Sequence, residues 1–311
     1  MIPAPNAHLT LATRTHPGNR RPKNEDFFAA QSYRLEGDGT PVLLALVADG
    51  IGGHLAGEVA SKMTVEVILS RMLAFRGGDP LPLLHDAILE ASRQVSQAAR
   101  ASPELEGMGS TLAAALILGD RLYVANVGDS RIYLLRDGRL RQVTIDHTWV
   151  QEAIRYNIIT QEEARGHPQS HVLRRHIGGD HLPEPDLRLH FRDGETDAKA
   201  VANQGLRLKA RDRLLLCSDG LTDMVEDLEI YRALATKSPE QAADALLDLA
   251  LERGGEDNIT LIIAAPNFPP ETSRTRSRAS WVLTTLISAA AVALLALTAF
   301  LIGRIAGLWP W

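Results

Sequence analysis

Short apolar runs bounded by turn residues recur along the first 266 residues of the chain. Most are rich in Val, Ile, Leu and Ala and end near Gly or Asp, a pattern typical of buried β-strands. The turn signal Asp137-Gly138 separates two of these runs and predicts a hairpin. The predicted strands are residues 27–33, 42–48, 111–118, 121–127, 131–135, 140–144, 187–191, 206–208, 213–217 and 258–264.

Three longer segments have helical periodicity instead: residues 57–75, 81–101 and 239–253. In the last of them, apolar side chains recur at spacings of three and four and therefore share one helix face. Strands that come in runs, interrupted by helices, predict an α+β fold in which antiparallel sheets carry helices on their outer faces. Residues 146–185 fit neither pattern. They are polar and rich in histidine, so we predict a surface insertion there.

The C-terminal end has a different character, because no charged residue occurs between Arg278 and Arg304. About 20 apolar residues suffice for a helix to span the hydrocarbon layer of a membrane. We therefore predict a transmembrane helix at residues 281–303, a juxtamembrane linker at 267–280 and a short tail at 304–311. Three arginines precede the apolar segment and one follows it. The positive-inside rule then predicts a single-pass protein of the inner (plasma) membrane whose larger part is cytoplasmic.

Composition narrows the class of protein. The 311-residue chain is 45% hydrophobic and 23% charged, which is typical of globular domains and excludes a disordered or collagen-like chain. Its net charge of -5 argues against a dedicated nucleic-acid-binding protein, which needs a basic surface. The only cysteine, Cys217, excludes an internal disulfide. We expect one folded domain over residues 1–266 that does not bind nucleic acid.

Acidic residues stand at the ends of several predicted strands, beside a glycine or another turn residue. Such a position places the carboxylate at the rim of a sheet. Carboxylates that converge raise one another's pKa and oppose ionisation unless a divalent cation neutralises them. Oxygen ligands alone favour hard ions such as Mg²⁺ or Mn²⁺. The candidate positions are Asn24-Glu25-Asp26, Asp49-Gly50, Gly128-Asp129, Asp219-Gly220 and Asp257-Asn258.

Other phosphate and metal chemistries fit the sequence less well. A cysteine phosphatase needs an arginine six positions after its cysteine, whereas Asp223 occupies that position relative to Cys217. A phosphate-binding loop at residues 52–57 would be followed by Glu58, which repels phosphate. The histidines in and beside the insertion lack cysteine partners and familiar zinc spacings, so we interpret them as solvated loop residues. They are His147, His167, His171, His176, His181 and His190.

Six motifs occur in order within residues 8–265. They are RRPKNED at 20–26, VADGIGGH at 47–54, GST at 109–111, ANVGDSRIY at 125–133, LCSDGL at 216–221 and EDNIT at 256–260. Together they resemble the PPM family of metal-dependent protein phosphatases, also called type 2C. The resemblance implies an αββα sandwich, in which two antiparallel sheets are flanked by helix pairs. It also implies that the insertion is a flap beside the active site.

The resemblance implies a role for each acidic position. Asp49 matches the carboxylate that bridges the two central metal ions, and the Gly50 carbonyl binds one of them. Asp129 and Asp219 match the residues that hold a third, weaker metal ion in bacterial members. The complete set of metal residues implied by the resemblance is Glu25, Asp26, Asp49, Gly50, Asp129, Asp219 and Asp257.

The resemblance also implies residues that act on the substrate. Arg21 matches the arginine that grips the substrate phosphate, with the adjacent Arg20 as the alternative, and we expect Arg21 and Asp49 to be the catalytic residues. Ile51 stands where eukaryotic members carry a histidine proposed to protonate the leaving group, so the general acid is unassigned. In the flap, we expect either His167 or Arg174 to contact substrate.

The implied function is hydrolysis of phosphoserine and phosphothreonine on proteins, by direct attack of a water that bridges two Mn²⁺ or Mg²⁺ ions. Because a membrane tether is predicted, the expected partners are phosphorylated proteins, a membrane Ser/Thr kinase among them, and the lipid bilayer. An alternative from another class is a catalytically silent phosphoprotein-binding or signalling module of the same fold. The complete set of mutually repelling carboxylates favours the enzyme.

Overall fold

The structure is a computed structural model that describes residues 1–52, 55–164, 166–267 and Thr298. Most strands coincide with the apolar runs of the sequence. They are β1 (Ile2–Pro3), β2 (Leu9–His16), β3 (Phe27–Arg34), β4 (Pro41–Ala48), β5 (Gly50–Ile51), β6 (Gly109–Ser110), β7 (Leu112–Leu118), β8 (Arg121–Val127), β9 (Arg131–Arg136), β10 (Arg139–Gln142), β11 (Leu206–Arg207), β12 (Arg213–Cys217) and β13 (Ile259–Pro266).

The strands form two sheets and a ribbon within the described residues. One sheet has six strands in the order β1-β3-β4-β7-β8-β11, and the other has five in the order β10-β9-β12-β13-β2. Neighbouring strands are antiparallel in both sheets. The short strands β5 and β6 form the separate ribbon, also antiparallel. The prediction of two antiparallel sheets is confirmed.

The helices differ greatly in length, and the long ones cover the sheets. They are α1 (Leu55–Met72), α2 (Leu81–Ala101), α3 (Trp149–Arg155), α4 (Gln161–Ala164), α5 (Asp197–Ala202), α6 (Asp219–Thr222), α7 (Asp227–Thr236) and α8 (Pro239–Glu252), with a 3₁₀ turn at Pro103–Leu105. Buried residues of α1 and α2 join one face of the six-stranded sheet in a single apolar cluster. Those of α7 and α8 do the same on the outer face of the five-stranded sheet.

The sequence of β4 is apolar throughout because both faces of the strand are buried. Successive side chains of a strand point to opposite faces, and each face of β4 is covered. Leu44 and Leu46 belong to the cluster shared with α1 and α2, whereas Leu43 and Val47 belong to the cluster that fills the space between the sheets. The result is a four-layered αββα sandwich, as the resemblance implied.

The hairpin of β9 and β10 is confirmed, with Arg136 opposite Arg139. Its two turn residues, Asp137 and Gly138, both have positive φ, 51° and 74°. Two-residue turns of this kind match the right-handed twist of the strands and require residues that tolerate positive φ. The Asp-Gly signal in the sequence therefore identified the turn correctly.

One predicted strand is wrong, and some observed elements were not predicted. The apolar run at 187–191 is not a strand, because its N–H groups bond to separate segments: that of Leu189 donates to Ala200 O, and that of His190 to Val143 O. No single neighbouring strand lies beside it. Conversely, β2 was missed. Only Leu9 and Ala12 of this strand are fully buried, since it lies at the edge of the five-stranded sheet, and its polar residues conceal the strand pattern.

The insertion at 146–185 carries the two short helices α3 and α4 in otherwise irregular chain. Thr148 caps α3 by accepting a hydrogen bond from the N–H of Gln151. Trp149 stacks on His167, with ring centroids 5.0 Å apart. An antiparallel β-bridge between Ser110 and Ile177 connects the insertion to the rest of the domain.

The predicted membrane location requires correction. Among the residues that the structure describes, no helix is long and apolar enough to cross a membrane. The longest of them, α2, carries Asp86, Glu90, Arg93 and Arg100 along its length, and charges at such positions oppose insertion into hydrocarbon. The segment at 281–303 on which the prediction rested lies outside the described residues, apart from Thr298.

Candidate active site

The acidic residues picked out in the sequence stand at strand ends of both sheets. Asp49 directly follows β4, and Asp129 lies two residues after β8, both in the six-stranded sheet. Asp219 lies two residues after β12 and begins α6, and Asp257 lies two residues before β13, both strands of the five-stranded sheet. The site is therefore built where the two sheets meet.

Three of these carboxyls perturb one another's ionisation. Burial raises the pKa of Asp49 well above its usual range, and the negative charges of Asp26 and Asp219 raise it further. Burial also raises the pKa of Asp26 to about 7, although the hydroxyls of Thr260 and Ser218 oppose the shift. Such effects require short separations, so the charges of Asp26, Asp49 and Asp219 act on one another.

The remaining acids complete the cluster. Burial would raise the pKa of Asp219, but hydrogen bonds from His171 and Asp49 lower it below its ordinary value. The ionisation of Asp219 therefore depends on that of Asp49, and the reverse also holds. Burial raises the pKa of Asp129 well above its usual range, and the charges of Asp219 and Asp146 add to this.

The cluster fits divalent cations. Within the described part of the chain, Asp26 Oδ1 and Asp219 Oδ1 are buried oxygens that have no hydrogen-bond partner. A buried polar atom without a partner is costly, and a bound cation would remove that cost. The donor set is made of carboxylate and carbonyl oxygens, which suits Mg²⁺ or Mn²⁺.

The backbone around Gly50 is packed too closely for any side chain. A Cβ on Gly50 would lie 2.3 Å from the carbonyl oxygen of Gly57 and 2.5 Å from that of Glu25. The Glu25 carboxylate itself lies against Gly57, with Oε2 2.1 Å from where a Cβ would stand. These two glycines let the start of α1 approach the cluster, and they place Glu25 beside Gly50.

The GST motif at residues 109–111 forms hydrogen bonds to the backbone of Asp49. The N–H of Asp49 donates to Thr111 Oγ1 at 3.0 Å, and the N–H of Thr111 donates back to the Asp49 carbonyl at 2.9 Å. The hydroxyl of Ser110 donates to the same carbonyl at 3.0 Å. Thr111 Oγ1 also lies 2.7 Å from Ser130 Oγ, next to Asp129. The motif thus joins two acidic positions.

Arg21 reaches the cluster from an exposed loop. Its Nη2 donates to Asp257 Oδ2 at 2.6 Å, and the pKa of its guanidinium is raised by that hydrogen bond first and also by the charges of Asp257, Glu25 and Asp49. About half of its side chain is exposed. The structure therefore places Arg21 beside the acids and open to solvent.

His171 and Asp223 are site residues that the sequence analysis missed. His171 Nδ1 lies 3.8 Å from Asp219 Oδ2 and 3.6 Å from Asp223 Oδ2. A hydrogen bond to Asp219, together with the charge of Asp223, raises the pKa of His171 to about 9. Burial, followed by the charge of Asp219, raises the pKa of Asp223 to about 7. Among the described residues, these three are the one group of His, Cys and acidic side chains whose ligand atoms lie close enough together to hold a single cation.

The two flap residues predicted to contact substrate make other contacts. His167 stacks on Trp149, and the Arg174 guanidinium donates to Glu152 at 3.0 Å. A signal for Asp223 was present in the sequence, because Asp219 and Asp223 are four residues apart and share a face of one helical turn. His171 had no such signal, since only the folding of the flap brings it to the acids.

The fold is thus a four-layered sandwich with a carboxylate cluster at the junction of its sheets, beside the exposed Arg21. The sequence profile described as protein phosphatase 2C matches residues 19–252 of the chain. The chain belongs to the protein phosphatase 2C family, as the resemblance in its sequence implied.

Named relatives agree with this class. The chain is 40% identical over 256 residues to the serine/threonine protein phosphatase PstP of Mycobacterium tuberculosis, covering 82% of this chain and 45% of that protein. The chain therefore spans less than half the length of that relative. It is 36% identical over 260 residues to the serine/threonine phosphatase stp of Listeria welshimeri, covering 82% of this chain and 95% of that one.

A solved structure bears on the cofactor. The catalytic domain of PstP, in complex with two manganese ions, superimposes with a TM-score of 0.68 at 37% identity, covering 83% of this chain and 97% of that one. The predicted cofactor, a pair of Mn²⁺ or Mg²⁺ ions, agrees with that relative.

Proposed function

We propose that the chain is a metal-dependent phosphatase that removes phosphate from phosphoserine and phosphothreonine of proteins. One observation carries the proposal: carboxyls from both sheets converge around two buried oxygens that lack partners, with Arg21 beside them. The names of the relatives support the substrate class. The predicted kinase and lipid partners depended on the membrane location, and we do not propose them.

We propose Glu25, Asp26, Asp49, Asp219 and Asp257, with the Gly50 carbonyl, as the residues that hold two divalent ions. When bound, such ions supply a water of lowered pKa and offset the negative charge of the phosphate. The third, weaker ion is assigned to Asp129 and Asp219 in this proposal.

The chain's own groups orient the substrate. Arg21 can bind two phosphate oxygens at once through its planar guanidinium, and its pairing with Asp257 in the structure holds it next to the acids. Asp49, fixed by Thr111 and Ser110, directs its carboxylate into the cluster. Burial of the acids keeps bulk water away and strengthens these charge interactions.

The silent binding module remains the alternative function. It shares the fold and the phosphate-binding arginine, but it has no use for carboxyls that raise one another's pKa. Asp26 and Asp49 show that energetic conflict most clearly. A binding module relieved of catalysis would lose nothing by replacing them, so their presence together favours the enzyme.

The test uses the full 311-residue chain. We expect hydrolysis of an aryl phosphate and of a phosphothreonine peptide in Mn²⁺, and its abolition by excess chelator. Asp49→Asn should lose roughly 10³-fold or more in kcat, because it removes a charge central to the cluster. Asp86→Asn, which changes an exposed carboxylate of α2, is the matched control. Activity in excess chelator, or none with either metal, would refute the proposal.

A further inference from the structure

Asn258 is buried at the centre of the segments that carry the site, although it is not an acid. Only 3% of it is exposed. Its side-chain oxygen accepts a hydrogen bond from the N–H of Glu25 at 2.7 Å. Its Nδ2 donates to the carbonyls of Pro17 and Lys23, each at 2.9 Å. Both N–H hydrogens of this buried amide and its oxygen therefore form hydrogen bonds to a single loop.

That loop, residues 17–25, is the one that carries Arg21. Asn258 bonds to its first residue, Pro17, and to two residues near its end, Lys23 and Glu25, so Arg21 lies inside the segment that the amide closes. The residues around Arg21 are exposed, and an exposed loop has little apolar packing to fix its shape. Hydrogen bonds therefore hold this loop: those of Asn258 at both of its ends, and those of Asn19 to the carbonyls of Leu251 and Gly254 within it.

The backbone of Asn258 connects the other parts of the site. Its N–H donates to Asp257 Oδ1 at 2.8 Å, while Asp257 Oδ2 accepts from Arg21. Its carbonyl oxygen lies only 2.1 Å from where a Cβ would stand on Gly220, the residue after Asp219. The single residue thus touches three of the segments from which the site is built.

We propose that Asn258 is a positioning residue that sets Arg21 for phosphate binding by closing the loop of residues 17–25. The inference rests on the proposed function, since it assigns Arg21 to the substrate phosphate. Only an amide fits the role: aspartate has the same shape but cannot donate to the carbonyls of Pro17 and Lys23. Mutating a residue that orients a site residue through hydrogen bonds typically lowers affinity or activity by about 10- to 100-fold.

The experiment compares Asn258→Asp with wild type in the full chain with saturating Mn²⁺. We expect KM for an aryl phosphate to rise by roughly tenfold or more, with a much smaller change in kcat. Binding of inorganic phosphate, measured by calorimetry in Mn²⁺, should weaken by a similar factor. If Asn258→Asp does not fold, Asn258→Ser, which adds no charge, replaces it in the same measurements.

Asn203→Ala is the matched control. Asn203 also donates through Nδ2 to a carbonyl, that of Leu189 at 2.9 Å, and to Glu195 at 2.8 Å, but it lies at the end of α5. We expect it to lower thermal stability without changing KM or phosphate affinity. A purely structural role of Asn258 would make the two variants behave alike, which would overturn the proposal.

A double-mutant cycle tests whether Asn258 acts through Arg21. In the Arg21→Ala background, Asn258→Asp should weaken phosphate binding no further, because coupled residues are not additive. Additive effects would contradict the positioning role. The phosphate-binding measurement does not require turnover. Loss of hydrolysis in the wild type would therefore refute the proposed function, whereas unchanged phosphate affinity in Asn258→Asp refutes the present inference.

Discussion

At the scale of single residues, Asp26 shows the conflict that a metal ion resolves. Its carboxyl accepts a hydrogen bond from the Ser218 hydroxyl at 2.8 Å through one oxygen, while the other is buried without a partner among the described residues. Burial raises its pKa from 3.8 to about 7. In the metal-free protein, this carboxyl opposes folding at neutral pH.

The pH dependence of this effect follows from proton linkage. Below pH 3.8, both the folded and the unfolded chain keep the Asp26 proton, so no penalty exists. Between pH 3.8 and about 7, the unfolded chain releases the proton while the folded one retains it, and stability falls as pH rises. Asp26→Asn should therefore raise the Tm of the chelated protein at pH 7.5 and have less effect near pH 4.

Thermal denaturation of both proteins in chelator, over that pH range, measures the effect. Asp86→Asn, which alters an exposed carboxylate, should leave Tm unchanged at every pH. An advantage of Asp26→Asn that grows towards low pH would contradict the assignment. In Mn²⁺ the ranking should reverse, because Asp26 is one of the proposed ligands.

His171 provides a second test at the residue scale. Its pKa of about 9 depends first on the hydrogen bond with Asp219 and then on the charge of Asp223. Asp223→Asn should lower the pKa of His171 in the metal-free protein, as followed by NMR of the imidazole nitrogens. Asp137→Asn, which removes only an exposed partner of Lys209, should not. Identical titration of His171 in wild type and Asp223→Asn would show that the flap does not hold His171 at the acids.

At the scale of elements, β4 joins two cores. Because each of its faces is covered by a different apolar cluster, truncating a side chain on either face leaves a cavity in a core. Leu44→Ala should lower the free energy of unfolding by about 2–5 kcal/mol, measured by urea denaturation. Leu228→Ala, at a position 55% exposed, should change it by less than about 0.5 kcal/mol. Equal losses would contradict the burial of β4.

Element boundaries also separate what a local pattern specifies from what it does not. The Asp137-Gly138 turn was predictable because positive φ at both positions restricts the residues that fit. The segment 187–191 was not, since an apolar run specifies burial rather than a strand partner. Its N–H groups bond to residues far apart in the chain, and such partners exist only after folding.

At the scale of the whole molecule, the site joins the two sheets. Asp49 and Asp129 come from one sheet, and Asp219 and Asp257 from the other. A ligand that binds only the folded chain stabilises it, by about 2.7 kcal/mol at a hundredfold excess over Kd. Mn²⁺ should therefore raise Tm, and both Asp49→Asn and Asp219→Asn should abolish most of the rise. A rise that persists in both variants would show that the ions bind elsewhere.

The predicted membrane location, which required correction, also concerns the whole molecule. Hydropathy along a chain measures only whether a segment could enter a membrane. The helices that the structure describes in residues 1–267 carry charges along their exposed faces, and none can cross a bilayer.

The sequence by itself determined the antiparallel strands, the hairpin and the candidate acids, because each leaves a local signature: alternating or continuous apolar runs, a turn that needs special φ angles, and carboxylates at strand ends. Only the tertiary structure decided which residues surround those acids. His171 arrives from the flap, Asn258 closes the loop around Arg21, and His167 and Arg174 turn to other partners. Contacts between residues distant in the chain depend on how layers and loops pack, and no local pattern encodes that geometry.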